Sequence, residues 1–516
     1  MSPPPDQQNH DLLLDLGDVG SGSGRLLLMA SRSDDLTAVD PRPETATTHH
    51  SRIAPRGKHT LPGRIRTFFA PGHILIILTV GAALIAALLK SPCRIRDWGA
   101  PEVYFGGCYS DWTGLWTSRG FASDPWAPFR TDSAFEYPIL IAVVASLIAW
   151  LAHGLTRVSE ILGIDAGANL VFYDLNFLAI VALWIGTVLI VAKLAGIRYW
   201  DATMVAVAPG IIFAGFINWD MWAVASMVAA MWAFAKHRNV WAGVLIGLGT
   251  AVKVFPLFLV GAILVLAIRT ARYYPLLITA AATAVTWLLV NLPMMLLNPG
   301  AWGVFYEFSS DRPPGWSSIW HTYATATDTE IPGQLLSSLA FWSFFILCAI
   351  IAVIGLTTKH RPRLAQLMFL IVAAFILVNK VYSPQFVLWI IPLLVLALPN
   401  WRDFLIFSAV ELLHFWAIWA YLAGPISEYD VQHQLDEKLY LLAVAGHVVV
   451  LIYLMLRVVM DMYEPNQDRV RNSLRHADSQ LLPDDDPSGA EFDGAPDRFV
   501  LRKRSKHPAA ANSGLD

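Results

Sequence analysis

An all-helical membrane protein that crosses the bilayer many times is what this sequence predicts, and three observations predict it. Only 15% of its 516 residues are charged, against about a quarter in a soluble domain. Hydrophobic residues make up 55%, with a mean hydropathy of +0.50. Apolar runs of about 17 to 25 residues recur along the chain, each long enough to cross ~30 Å of hydrocarbon as a helix. Inside lipid every backbone group must be bonded within the chain, so these runs are helices; barrel strands would be shorter and would alternate. The net charge of −3 carries little weight beside the placement of the basic residues, and no nucleic-acid partner is expected.

Residues 1–66 are rich in Pro, Ser, Asp, Gly and His and have no sustained apolar period, so a disordered tail is expected there. It does not read as a signal peptide, because the first apolar run starts late and no small-residue cleavage site follows it. Arg52, Arg56, Lys58, Arg64 and Arg66 place this tail in the cytoplasm. The membrane domain then runs from 67 to 460. Its first span, about 73–89, leads into a large external loop at 90–136. Apolar runs follow at 137–155 and 168–194. Further spans are expected at 201–217, 221–235, 240–252, 254–268, 275–297, 334–357, 364–379, 384–399, 403–422 and 437–459.

The basic clusters at 193–198, 236–238, 269–272 and 359–363, with Arg402 and Arg457, belong in the cytoplasm. That puts Asn218-Trp-Asp220, Lys253, the loop at 298–333, residues 379–385 and residues 424–438 outside. This assignment holds only if one early run does not cross. The run at 137–155 is the better candidate, as a helix lying at the outer surface, which leaves twelve crossings, or thirteen if it spans. Residues 461–516, acidic and then basic, read as a second disordered cytoplasmic tail.

The ionisable groups between spans gather on the external side: Asp111, Arg119, Glu136, Asp174, Asp220, Lys253, Asp311, Arg312, His321 and Lys380. Charge at membrane depth is expensive and marks sites or polar paths, although helix-end anchors are its bland alternative. Lys253 and Lys380 each lie beside a helix-breaking proline, Pro256 and Pro384, and a lysine at such a break suits an anionic phosphate. Asp220 opens a helix, where it also serves as a terminal charge. Aromatic and hydroxyl-bearing residues fill the external loops, and Trp112, Tyr306, Trp316, Trp320, His321, Tyr382 and Gln385 are candidates for stacking on sugar rings or bonding their hydroxyls. Cys93 and Cys108 both fall at the first loop and are a plausible disulfide in an oxidising compartment. Glu411 and His414, one turn apart inside a span, read as a buried structural pair.

With Tyr109-Ser-Asp111, Arg119-Gly120, Glu136-Tyr-Pro138, Asn218-Trp-Asp220, Lys253-Val-Phe-Pro256 and Asn379-Lys-Val-Tyr-Ser-Pro-Gln385 in view, the chain resembles polyprenyl-phosphate-sugar-dependent glycosyltransferases of the GT-C fold. The likeness is to the α-1,2-mannosyltransferase-like group of glycosyltransferase family 87, and it spans about 70–460. The resemblance implies an inverting transferase at the outer face of the plasma membrane. An acidic residue of the first external loop acts as base, which here falls on Asp111, with Asp97, Glu136 and Asp220 as alternatives. It also implies a juxtamembrane helix after the first loop and a lipid-phosphate sugar donor, held by Lys253, Lys380 and Arg119. The sugar expected is mannose or arabinofuranose, and the acceptor an envelope glycan or glycolipid. No cofactor is expected and no metal implied, since cations can stabilise the leaving phosphate. A flippase or transporter of lipid-linked sugars is the alternative reading, which would distribute its charges over both faces.

Overall fold

This computed structural model describes residues 70–99, 102–164, 166–424, 434–477 and 486–501. The expected tail at 1–66 lies outside the described residues. Within them the chain is helices and the loops that join them. We number the principal helices α1 (Pro71–Ile95), α2 (Asp111–Ser118), α3 (Ile139–Ile161), α4 (Ala168–Ala195), α5 (Pro209–Ala214), α6 (Asp220–Ala235), α7 (Asn239–Thr250), α8 (Phe258–Thr270) and α9 (Tyr274–Leu297). There follow α10 (Pro299–Asp311), α11 (Ile319–Thr327), α12 (Gly333–Thr357), α13 (Leu364–Val378), α14 (Val387–Ala397), α15 (Trp401–Leu422), α16 (Glu437–Tyr463) and α17 (Arg469–Ala477).

Among the described residues, seven helices are long and apolar enough to cross a membrane: α1, α3, α4, α9, α12, α15 and α16. Five shorter apolar helices, α6, α7, α8, α13 and α14, complete the bundle. The difference is one of position. Nearly every residue of α13 and α14 is buried, whereas α9 and α12 leave Leu288, Leu289, Phe341 and Trp342 exposed. A helix walled in by protein can stop short and break, because its free backbone groups find partners in the bundle. The expected span at 201–217 is such a case and is corrected: a 3₁₀ stretch (Gly196–Ala202), one turn (Thr203–Ala206) and α5 replace it. Pro209, which opens α5 and supplies no N–H, is the physical reason for the break.

Close packing sets the depth of the turn after α7. Gly243 and Gly247, four residues apart, face α9, and a Cβ on either would stand 2.4 Å from the Thr279 carbonyl oxygen or 2.7 Å from that of Thr283. Only glycine allows this approach. The result is a tight α6–α7–α9 layer whose turn carries Lys253.

At one end of the bundle the basic clusters are bonded to the C-terminal segment. Arg363, buried, donates to Asp468 Oδ2 (2.7 Å) and to the carbonyls of Leu396 (2.7 Å) and Ala397 (2.6 Å). Arg269 donates to Asp497 (2.9 Å) and the Gly355 carbonyl (2.6 Å), and Arg361 reaches Asp497 at 3.0 Å. The expectation of a disordered 461–516 is therefore corrected for 461–477 and 486–501: buried arginines hold their aspartates, and Phe492 packs on Phe234. At the other end lie the loops. A disulfide joins Cys93, near the end of α1, to Cys108, and Lys90 Nζ donates to the Gly107 carbonyl at 2.9 Å. Gly107 has φ +59°, and a Cβ there would meet the Trp416 ring at 2.6 Å. The first loop is thus folded back on α1 and delivers Tyr109–Asp111 to the bundle. It begins later than expected, because α1 continues to Ile95.

The run expected at 137–155 forms α3, longer than read. Its Leu140 N–H donates to the Ala251 carbonyl (3.3 Å). Farther along, His153 Nε2 meets the Phe121 carbonyl at 2.8 Å, and its ring stacks on Trp116 at 5.0 Å. From Leu140 to His153, then, α3 packs on groups at the loop end, with Trp150, Leu155 and Ile161 exposed on its other face.

Candidate active site

Asp111 begins α2, and two bonds fix it. Its N–H donates to the Ile217 carbonyl at 2.8 Å, and Ser110 Oγ donates to the same oxygen at 3.4 Å. This pin brings residues more than a hundred positions apart together, because Asn218-Trp-Asp220 follows Ile217 directly. The Asp111 carboxylate accepts from the Tyr137 hydroxyl at 2.7 Å, and Tyr109 is a second hydroxyl donor to it. Tyr137 is itself held by Trp219, edge-on at 5.2 Å, and by Phe135 at 5.3 Å.

Charge then accumulates around this pair. Asp220, fully buried, takes Lys253 Nζ on Oδ1 at 3.1 Å and the Trp389 indole N–H on Oδ2 at 3.0 Å. Lys253 also lies over the Tyr137 ring, 5.6 Å from its centroid. Burial pushes the Asp111 carboxyl above the ordinary carboxylate range; the two tyrosine hydroxyls and the Lys253 charge pull it back, and the Asp220 charge adds to the rise. A carboxylate raised in this way takes up a proton more readily than one at its ordinary value. The hydroxyls of Tyr137 and Tyr109 are pushed upward, Tyr137 mainly by burial and Tyr109 mainly by the Asp111 charge, so they serve as donors and not as bases.

Several expected site residues stand elsewhere. Arg119 forms a two-pronged pair with Glu136 (Nε to Oε2 2.6 Å, Nη2 to Oε1 2.8 Å). Each therefore answers the other, and neither is an open phosphate donor or an open base. Lys253 is likewise engaged by Asp220. Asp97 is exposed in a turn with φ +54°, and the groups that act on Asp111 do not include it. Trp112 is wholly buried against Tyr173 (5.6 Å) and Trp219 (6.2 Å), so it is core and cannot stack on a sugar. Tyr306 joins Trp302, Phe305 and Tyr137 in lining a crevice beside Tyr137.

Trp316 is half-exposed and meets His321 edge-on at 5.1 Å, while the Trp320 indole donates to the Val378 carbonyl at 2.8 Å. Burial pushes His321 below its ordinary value, against an upward pull from Glu437. Tyr382 is buried and donates to Glu411 at 3.3 Å, and Gln385 is nearly buried; both belong to the interior beside α15. Lys380 Nζ donates to Ser337 Oγ (2.6 Å) and the Ser310 carbonyl (3.1 Å).

One cation that sequence reasoning left out of the site is Arg312. It feels the charges of Tyr137, Asp111 and Glu136, although burial lowers its pKa. Burial also lowers that of Lys380, and the Arg312 charge lowers it further, so the two cations are near neighbours. Arg312 packs over Phe308 at 5.5 Å. Its place among the charges read as external was the signal, and the proline pair that follows it, Pro313-Pro314, fixes the chain there. Arg312 thus lies within electrostatic reach of the acid–tyrosine pair, and Lys380 within reach of Arg312. Such an arrangement can neutralise an anionic group on one side and accept a proton on the other.

A search of the curated proteins finds no match. The model of Glycosyltransferase family 87 matches residues 135–379; Glu136, Tyr137, Asp220, Lys253 and Arg312 lie within the match, Lys380 next to its end, and Asp111 outside it, well before its start. Over residues 135–379 the chain is similar to glycosyltransferase family 87, a family of membrane glycosyltransferases.

Proposed function

We propose that this glycosyltransferase moves a sugar from a polyprenyl phosphate to an envelope glycan or glycolipid at the outer face of the plasma membrane, with Asp111 as general base. The observation that carries the proposal is the Asp111–Tyr137 pair at 2.7 Å, with Arg312 in electrostatic reach of it and Lys380 in reach of Arg312. Asp111 removes the proton of the acceptor hydroxyl, whose oxygen attacks the anomeric carbon. The bond from that carbon to the phosphate oxygen breaks, and the lipid phosphate leaves with the bonding pair. Arg312 and Lys380 neutralise the charge it gains, so that the metal-free route is electrostatically sound. A single displacement inverts the anomeric centre and needs no second carboxylate. Tyr109 and Tyr137 orient the base, and the pairs Arg119–Glu136 and Lys253–Asp220 hold the walls. The crevice of Trp302, Phe305 and Tyr306 offers aromatic faces to the sugar or to the first prenyl units. The packing of α3 along the first loop accords with a juxtamembrane helix. Mannose is the sugar proposed first.

The experiment is transfer in membranes from radiolabelled polyprenyl-phosphate mannose, comparing the native chain with Arg312→Gln and Lys380→Gln. Each variant should raise the donor KM and lower kcat/KM by about 10- to 100-fold, the loss of one charge-assisted phosphate contact. Unchanged kinetics in both would remove these cations from the donor site.

A further inference from the structure

Away from Asp111, two neighbouring helices and a loop close on three buried groups. Glu411 and His414 of α15 meet His447 of α16, and one potential ligand atom from each lies within 4.8 Å of the others. All three residues are buried, the histidines completely. Each imidazole directs Nε2 at Ser317: His414 to the hydroxyl at 2.9 Å, His447 to the backbone carbonyl at 3.3 Å. A carbonyl oxygen can only accept, so His447 Nε2 carries a hydrogen, and in the neutral ring Nδ1 holds a lone pair. Among the described residues that Nδ1 has no hydrogen-bond partner, and neither has Nδ1 of His414. The charged oxygen facing His447 Nδ1 is Glu411 Oε2, at 3.9 Å. Buried polar atoms are almost always bonded. Two buried imidazole nitrogens without hydrogen-bond partners, in one cluster with a carboxylate, call for a cation between them.

We infer that Glu411, His414 Nδ1 and His447 Nδ1 bind a divalent transition metal, zinc first by ligand type. Two imidazoles and one carboxylate suit zinc and leave a fourth position open. The surroundings are those of a metal-binding histidine: each ring's other nitrogen is oriented by an oxygen of Ser317, and the Tyr382 hydroxyl bonds Glu411 Oε1 at 3.3 Å, which orients the carboxylate. Ligands about 2.1 Å from a tetrahedral zinc stand roughly 3.4 Å apart, so closing the set takes about 1 Å of side-chain movement. A proton shared by His447 and Glu411 is the competing occupant, but it leaves His414 Nδ1 bare. The metal ties Ser317, and with it the loop that carries Arg312, to the last two long helices. The inference is independent of the donor and base assignments above, because none of the three ligands takes part in them.

The test uses the full chain purified in detergent, stripped with a chelator and titrated with Co²⁺. One equivalent should produce visible ligand-field absorption that one equivalent of Zn²⁺ abolishes, and Zn²⁺ should raise the melting temperature of the native chain. His414→Ala and His447→Ala should lose both the absorption and the Zn²⁺-dependent shift. If either variant fails to fold, the native chain alone decides. A monodisperse native protein that gives no saturable Co²⁺ signal and no Zn²⁺-dependent shift overturns the inference, as does a signal that survives in a folded His447→Ala protein.

Discussion

Removing Lys253 separates its two possible roles. Its ammonium stands 3.1 Å from Asp220 Oδ1, with 23% of the lysine side chain and none of the aspartate exposed. At an effective dielectric of about 20 the gross attraction at that distance is roughly 5 kcal/mol. Part of it is cancelled by the desolvation of both ions, and breaking such a pair costs about 3–5 kcal/mol because one charge is left buried alone. Lys253→Met should therefore destabilise the protein by about 3 kcal/mol, the low end, since the Trp389 indole still serves the other oxygen of Asp220. Adding Asp220→Asn removes the orphaned charge and should return most of that loss, a coupling of about 2–3 kcal/mol. The assay is a double-mutant cycle of thermal unfolding in detergent, read beside donor KM in the same four proteins. If Lys253 is structural, the stable double variant keeps a near-native donor KM. Additive, sub-kilocalorie stability effects with a large rise in donor KM would refute this reasoning and return Lys253 to the phosphate.

Three further predictions follow from the same geometry. Tyr137→Phe removes a donor that holds the Asp111 carboxyl down, so the acid limb of the kcat/KM profile should move to higher pH; a limb that stays put contradicts the assigned pair. Because the folded-state pKa of Asp111 is raised, ionising it opposes folding: this group's contribution falls as pH rises from the ordinary carboxylate range through the folded value. Asp111→Asn should thus melt no lower than the native chain at pH 7, and a clear drop in melting temperature would show that the charge is a structural asset. Arg363→Met takes the nearest cation from Asp468, leaving it Arg471 at 3.3 Å, and strands the carbonyls of Leu396 and Ala397; it should cost about 3 kcal/mol, the low end for breaking a buried pair, seen as a fall in melting temperature and faster proteolysis after residue 463. A neutral result would mean that the C-terminal segment is not held as described.

Much of this was legible in the sequence because lipid leaves few solutions. Long apolar runs had to be helices, and the expensive charges of Asp111, Asp220, Lys253 and Arg312 had to be near something that tolerates them. Their partners were not legible. Arg119 and Lys253 looked like free cations, and only the fold turns them to Glu136 and Asp220. Trp112, in a polar loop, read as a sugar platform until the disulfide and the Gly107 turn folded that loop into the core. The C-terminal segment is hydrophilic enough to read as disordered, yet its aspartates meet arginines that the bundle buries. Glu411 and His414 could be paired by helical spacing, whereas His447, on another helix, enters only through packing. The break at Pro209 was written in the sequence, but hydropathy averages over it.

Proton removal by Asp111 during transfer from a lipid-phosphate donor is the central claim, and Asp111→Asn tests it most directly. Transfer from polyprenyl-phosphate mannose should fall by at least about 100- to 10,000-fold, the usual worth of a general base, while binding of the donor to the purified variant is retained. Full activity in Asp111→Asn would contradict the account, and move the search for the base to another carboxylate.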